Sequence, residues 1–333
     1  MKVAVLGGGS MGVACAALLS KNGHEVSIWT PVEAEAKQIQ ETHGIAERLP
    51  GVTLPETVVA TTSLEVALAE VGLVLLAVPS VFIRTTCRNA SNALRRQGIT
   101  GIPFVCCSKG LENETGLLLT DIMEEELPDF AVAVLSGPSY AIEIATGMPT
   151  AVVIASGDLS VAQQCQDVFM NGEFRVYTST DVVGVELGGA LKNVIALCAG
   201  ICDGLGFGDN TKAALLTRGI AEIARLGVAM GADVQTFFGL TGMGDMILTC
   251  TGKHSRNKQA GMLLGKGYSL EDTLKEVKMV VEGVSAAKPA LLLAQKYGVE
   301  MPIIEEANRV LYEGKCPREA MLCLMARDKK SEF

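Results

Sequence analysis

The sequence predicts an α/β N-terminal half, built on a doubly wound parallel sheet, followed by an all-α C-terminal half. Near-continuous apolar runs alternate with helical patterns as far as Tyr177, which fits strands covered on both faces. A glycine-rich turn joins the first of these runs to the first helical pattern. Beyond Asp181 almost nothing is strand-like, and helical periodicity takes over. The chain has 333 residues, 49% hydrophobic and 20% charged, which suits two domains with their own cores and excludes a disordered chain.

Strands are expected at Val3–Leu6, Glu25–Trp29, Leu73–Val78, Pro103–Cys107, Ala131–Leu135, Ala151–Ala155 and Phe174–Tyr177. Helices fill the gaps, for example Met11–Asn22 and Thr115–Glu126. The short polar run Thr178–Asp181 offers N-caps and sets the boundary between residues 1–180 and residues 181–333. In the second half Leu216, Ile220, Ile223, Ala224 and Gly227 share one helix face. Ser269 with Asp272 has capping-box spacing, and Pro317 suits the first turn of the last helix. The tail Asp328–Glu332 is expected to fray.

Lys plus Arg number 28 and Asp plus Glu 37, a net charge of −9 that argues against a nucleic-acid surface and a polybasic membrane patch. The ten cysteines contain no CxxC pair. Cys15, Cys87, Cys165, Cys198, Cys202, Cys250 and Cys323 lie in apolar stretches and read as small hydrophobes in a reducing compartment. His24, His43 and His254 lack metal-ligand spacing, so no metal site is expected. Gly7, Gly8, Gly9 and Gly12 interrupt the apolar N-terminus, and no cleavage-site pattern follows. No later run reaches about 18 uninterrupted apolar residues, so the chain reads as cytoplasmic, without a membrane span.

Gly7-Gly8-Gly9-Ser10-Met11-Gly12 places GxGxxG after a strand and before a helix. Gly7 makes the tight turn, Gly9 lets backbone approach a pyrophosphate, and Gly12 lets helix and strand pack closely. Residues 1–180 therefore read as a Rossmann-like dinucleotide-binding domain, the alternative being a glycine-rich turn without a ligand. An NAD-preferring site carries an acid about 20 residues past the glycines. Here the second strand ends Ile28-Trp29-Thr30-Pro31, with Glu33 slightly late and Lys37 a turn further on, which leaves NAD and NADP both open.

Three strands end in similar punctuation, Val78-Pro79-Ser80, Ser108-Lys109-Gly110 and Ser136-Gly137-Pro138-Ser139. In a parallel sheet such ends line one crevice, with Lys109 as its cation or as a solvated strand-end lysine. Lys192 lies in an apolar helical run, with Gly188 and Gly189 on its own face. Burial makes a lysine able to give and take a proton near neutrality. The two glycines would leave room for a ligand, and the bland alternative is a lysine that snorkels to water. A third cluster holds Gly244-Asp245, Thr249 and Ser255-Arg256-Asn257. Asp245 is either a site carboxylate or a simple N-cap. Arg256 and Asn257 suit a phosphate monoester or form a solvated loop.

Taken together these motifs resemble the NAD(P)-dependent glycerol-3-phosphate dehydrogenases over essentially the whole chain. The resemblance also rests on Glu186-Leu187-Gly188-Gly189-Ala190-Leu191-Lys192-Asn193 and Val281-Glu282-Gly283, and Cys202-Asp203-Gly204-Leu205-Gly206-Phe207-Gly208 points to the bacterial branch. It implies reversible hydride transfer between a nicotinamide and C2 of dihydroxyacetone phosphate, giving sn-glycerol 3-phosphate for phospholipid synthesis. It further implies Lys192 as general acid/base, Lys109 polarising the carbonyl and touching the cofactor, and Asp245 and Asn193 holding the substrate and orienting Lys192. By the same resemblance Gly137, Ser139, Thr249, Ser255, Arg256 and Asn257 border the substrate or hold its phosphate. The resemblance and the glycine motif also imply that Gly7, Gly9, Ser10, Met11, Gly12, Ala141, Arg256, Val280 and Glu282 would contact the cofactor. A homodimer is implied too, with Met230, Met243 and Met262 as a possible apolar face.

Pro31 departs from the basic residue that many bacterial relatives carry after the second strand, which predicts NADPH use with weak discrimination against NADH. The rival enzyme reading is another two-domain hydroxy-acid dehydrogenase, of the 6-phosphogluconate or ketopantoate type. A protein that binds dinucleotide without turnover has no reason to place Lys192 on an apolar helix.

Overall fold

The computed structural model describes residues 1–278, 280–329 and 331–332, so Lys330 of the tail lies outside the described residues. The chain divides into two compact units, Met1–Lys109 with Leu117–Glu186, and Gly110–Gly116 with the chain from Leu187 onward. The division by contacts falls after Glu186, six residues beyond the boundary at 180 expected from the sequence. Asp181 caps the following helix as expected, its Oδ1 accepting from Gly184 N at 2.9 Å. However, the Glu186 carboxylate accepts from Thr120 N at 3.2 Å and from Thr120 Oγ1, which ties the first helical turn to unit one.

Unit one holds β1 (Lys2–Leu6), α1 (Ser10–Lys21), β2 (Glu25–Trp29), α2 (Glu33–Thr42), β3 (Val59–Thr61), α3 (Leu64–Ala67) and β4 (Leu73–Leu76). It continues with α4 (Ile83–Arg96), β5 (Pro103–Cys106), α5 (Leu119–Glu126), β6 (Ala131–Ser136), α6 (Ala141–Ala145), β7 (Thr150–Ala155), α7 (Leu159–Phe169) and β8 (Phe174–Ser179). The strands form one sheet in the order β3-β2-β1-β4-β5-β6-β7-β8. Alternate residues serve opposite faces: Val3, Val5, Leu73 and Leu75 join one buried cluster, while Ala4, Leu6, Val74 and Leu76 join the other.

Each expected strand forms, and the structure adds the short edge strand β3. The sheet is not wholly parallel, because β7 runs antiparallel to β6, pairing Val134 with Ala155 and Ser136 with Val153. The expected helix from Thr115 begins only at Leu119, since Gly116 takes a left-handed φ of 71°.

Unit two is helical: α8 (Val182–Gly204, whose first turn belongs to unit one), α9 (Asp209–Ala229), α10 (Val234–Phe238), α11 (Asp245–Thr251) and α12 (Arg256–Gly265). α13 (Leu270–Val277), α14 (Glu282–Tyr297), α15 (Pro302–Tyr312) and α16 (Pro317–Met325) follow. The buried face of α9 holds Leu215, Ile220, Ile223, Ala224 and Gly227, with Leu216 only half-buried. Ser269 caps α13, accepting from Asp272 N at 3.0 Å, and Pro317 opens α16. Among the described residues α8 alone is long and apolar enough to cross a membrane, but 83% of its most apolar window is buried inside the protein, as in a core helix.

All ten cysteines are free, and Cys323 is exposed, contrary to its apolar context. Burial pushes the Cys87 and Cys165 thiols up to about 12, so they stay protonated and pack as small hydrophobes. Met230, Met243 and Met262 are half-buried.

Candidate active site

In unit one the strand order reverses direction between β1 and β4, the place where doubly wound sheets bind ligands. Gly7 lies there with φ 133°, and a Cβ on it would stand 2.6 Å from the Ala77 carbonyl oxygen. Only glycine fits both that φ and that contact. Gly12 packs directly under the Gly7 carbonyl, whereas a Cβ on Gly9 would meet nothing within 4 Å. The open space over Gly9 lies at the N-terminus of the twelve-residue α1, whose first residues are Ser10 and Met11. Unpaired amides at such a terminus attract a pyrophosphate, so the residues fit a dinucleotide. Ala141 opens α6, and like Met11 it packs against the adjoining core.

Beside this turn stands a carboxylate that the sequence reading passed over. Glu35, in the first turn of α2, accepts from Thr30 Oγ1 at 2.5 Å through Oε2 and pairs with Arg48 at 2.7 Å through Oε1. A Cβ on Gly8 would lie 2.7 Å from Glu35 Oε2. The spacing signal was present, since Glu35 follows Gly12 by roughly the 20 residues of the motif, but its helix had to fold back on Thr30 to reveal it.

The strand-end residues converge as their punctuation suggested. Lys109 Nζ donates to the Gly137 carbonyl at 2.9 Å and lies 3.4 Å from Ser139 Oγ. Ser139 Oγ donates to the same carbonyl at 2.8 Å, and Gly137 adopts φ 137° against β7. Ser108 Oγ donates to Val78 O at 2.5 Å, tying the ends of β4 and β5 together.

In unit two Lys192 is 5% exposed and does not snorkel. Its Nζ lies 2.6 Å from Asp245 Oδ1 and donates to Thr249 Oγ1 at 2.6 Å. Thr249 Oγ1 in turn donates to Asp245 O at 2.7 Å. Asp245 is the first residue of α11 rather than its N-cap, and with 1% exposure its carboxylate serves the lysine. Gly188 works differently from the expectation. A Cβ there would come within 2.9 Å of the Thr241 carbonyl, so the glycine admits backbone, not ligand. The π-type turn Leu240–Gly244 packs into that space and delivers Asp245 to Lys192.

The 255–257 cluster separates into distinct roles. Ser255 Oγ caps α12, accepting from Lys258 N at 3.2 Å. Asn257 is 8% exposed, and both ends of its amide are engaged within unit two. Its Nδ2 donates to Asn193 Oδ1 at 2.9 Å, and its Oδ1 accepts from Gly283 N at 2.8 Å. Asn257 thus locks α8, α12 and α14 together and orients Asn193, rather than presenting a spare amide. Gly283 is needed there because a Cβ would strike the Asn193 carbonyl. Arg256 is exposed; desolvation lowers its pKa while the Glu282 carboxylate at the start of α14 opposes that effect. Val280 is 45% exposed nearby in sequence.

The family model for the N-terminus of NAD-dependent glycerol-3-phosphate dehydrogenase matches residues 2–162, and that for the C-terminus matches residues 181–322. The chain belongs to this family. A glycerol-3-phosphate dehydrogenase [NAD(P)+] of Agathobacter rectalis is 51% identical over 99% of this chain and 97% of its own. Another, of Fusobacterium nucleatum, is 50% identical over 100% and 99% respectively. The crystal structure of glycerol-3-phosphate dehydrogenase from Coxiella burnetii superposes with a TM-score of 0.93 at 34% identity, covering 98% of this chain and 99% of that one. Membership of the glycerol-3-phosphate dehydrogenase family makes the chain an oxidoreductase and removes the 6-phosphogluconate and ketopantoate readings as family assignments.

Proposed function

We propose that this chain catalyses the reversible reduction of dihydroxyacetone phosphate to sn-glycerol 3-phosphate with NADH or NADPH. The observation that carries the reading is the sealed Lys192–Asp245–Thr249 cluster in a chain of this family. When bound, the reduced nicotinamide supplies a hydride to C2 of the ketone. Negative charge then grows on the C2 oxygen, and the Lys192 ammonium donates a proton to it, leaving an alcohol and a neutral amine. In the oxidative direction the amine takes that proton back. Asp245 and Thr249 fix Nζ in place throughout, and Asn193 is held one residue away by Asn257.

Lys109, anchored on Gly137 and beside Ser139, is the cation at the strand ends where a doubly wound sheet meets its ligand. Arg256 suits the phosphate dianion, for which an accessible guanidinium fork is the matching donor. Gly7, Gly9, Ser10, Met11 and Gly12 would hold the dinucleotide's pyrophosphate. The purified protein is expected to oxidise a reduced nicotinamide when dihydroxyacetone phosphate is added, and to leave ketopantoate and 6-phosphogluconate untouched. Turnover of either acid without turnover of the triose phosphate would refute the reading.

A further inference from the structure

We propose that Glu35 selects the unphosphorylated adenosine ribose, making the chain prefer NAD(H) over NADP(H). The inference rests on the dinucleotide reading above and names which of the two cofactors that site takes. Pro31 alone predicts weak discrimination, because neither an acid nor a base follows β2 directly. The fold supplies the missing acid from the next helix. Glu35 Oε2 stands 2.7 Å from where a Gly8 Cβ would be, nearer than any described atom outside Gly8 and its chain neighbours, so it overhangs the middle of the glycine turn. Thr30, 1% exposed at the end of β2, fixes that oxygen with a hydrogen bond of 2.5 Å.

In such a domain the acid at this place accepts hydrogen bonds from the ribose hydroxyls. A 2′-phosphate in the same position sets a dianion against a carboxylate. Among the described residues Arg48 is the cation paired with Glu35, and it reaches the other oxygen, Oε1, at 2.7 Å. The carboxylate therefore stands nearer Gly8 than the guanidinium does, and it is what an added phosphate meets first. Arg48, paired with Oε1, aims the carboxylate. With the carboxylate removed, the same guanidinium becomes a partner for a phosphate.

Calorimetric titration of the whole protein with NAD+ and with NADP+, without substrate, tests this independently of catalysis. Wild type is expected to bind NAD+ at least about tenfold more tightly than NADP+. In Glu35→Gln that ratio is expected to shrink to about threefold or to reverse, as repulsion is lost and Arg48 is released. Equal or tighter NADP+ binding by wild type, which needs no variant, would overturn the inference while leaving the dinucleotide reading intact. So would an unchanged ratio in folded Glu35→Gln. If neither dinucleotide binds, the dinucleotide reading itself fails and takes this inference with it.

Discussion

Lys192 and Asp245 are each nearly sealed from water, and each is the other's counter-charge at 2.6 Å. Two buried ions are tolerated only when they meet at hydrogen-bond distance and have further polar partners, which Thr249 provides here. Asp245→Asn keeps the shape but removes the counter-charge. It is expected to lower kcat by about a hundredfold and to cost about 3 kcal/mol of stability, read by steady-state kinetics and by denaturant unfolding. A variant with unchanged kcat would mean that Lys192 works without its carboxylate. At this scale the sequence singled out Lys192 because a lysine on an apolar helix is anomalous. It could not assign Asn257 or Ser255, since amides and hydroxyls serve ligands and caps equally well and only the partners decide. Glu35 escaped notice for a related reason: its function depends on a fold-back to Thr30 that spacing alone does not encode.

Among the elements, α8 and the turn that delivers Asp245 meet at Gly188. Gly188→Ala introduces a methyl 2.9 Å from the Thr241 carbonyl, and backbone rather than a flexible side chain must give way. The expected cost is about 1–3 kcal/mol, together with a fall in kcat larger than any change in KM. Unaltered kinetics in a destabilised variant would show that the turn tolerates displacement. The strands, and helices such as α1, α8 and α9, were legible because apolar runs and glycine punctuation mark them strongly. β3 was not, being three residues on a partly exposed edge. The reversed direction of β7 was also hidden, since a strand buried on both faces has the same pattern in either direction.

Across the whole molecule, a buried carboxyl in each unit, Glu186 in the first and Glu222 in the second, links folding to pH. Burial raises Glu186, against the hydrogen bonds from Thr120, and raises Glu222, against those from Ile303; both reach about 7. Between about pH 4.5 and 7 the folded protein therefore holds protons that the unfolded chain has released. Stability is expected to fall as pH rises through that window, by roughly 1–3 kcal/mol per group. Glu126, held low by Arg88, titrates below the window. Thermal unfolding at several pH values should show the decline, and Glu222→Gln should flatten it. A slope as steep in the variant as in wild type would remove Glu222 from the account.

The most direct test of the chemistry is kcat for dihydroxyacetone phosphate reduction by Lys192→Ala beside wild type, with dinucleotide affinity measured on the same preparations. A proton donor at the reacting oxygen predicts a loss of at least about a hundredfold in kcat, with dinucleotide affinity kept within about twofold. A variant that turns over at the wild-type rate would contradict it.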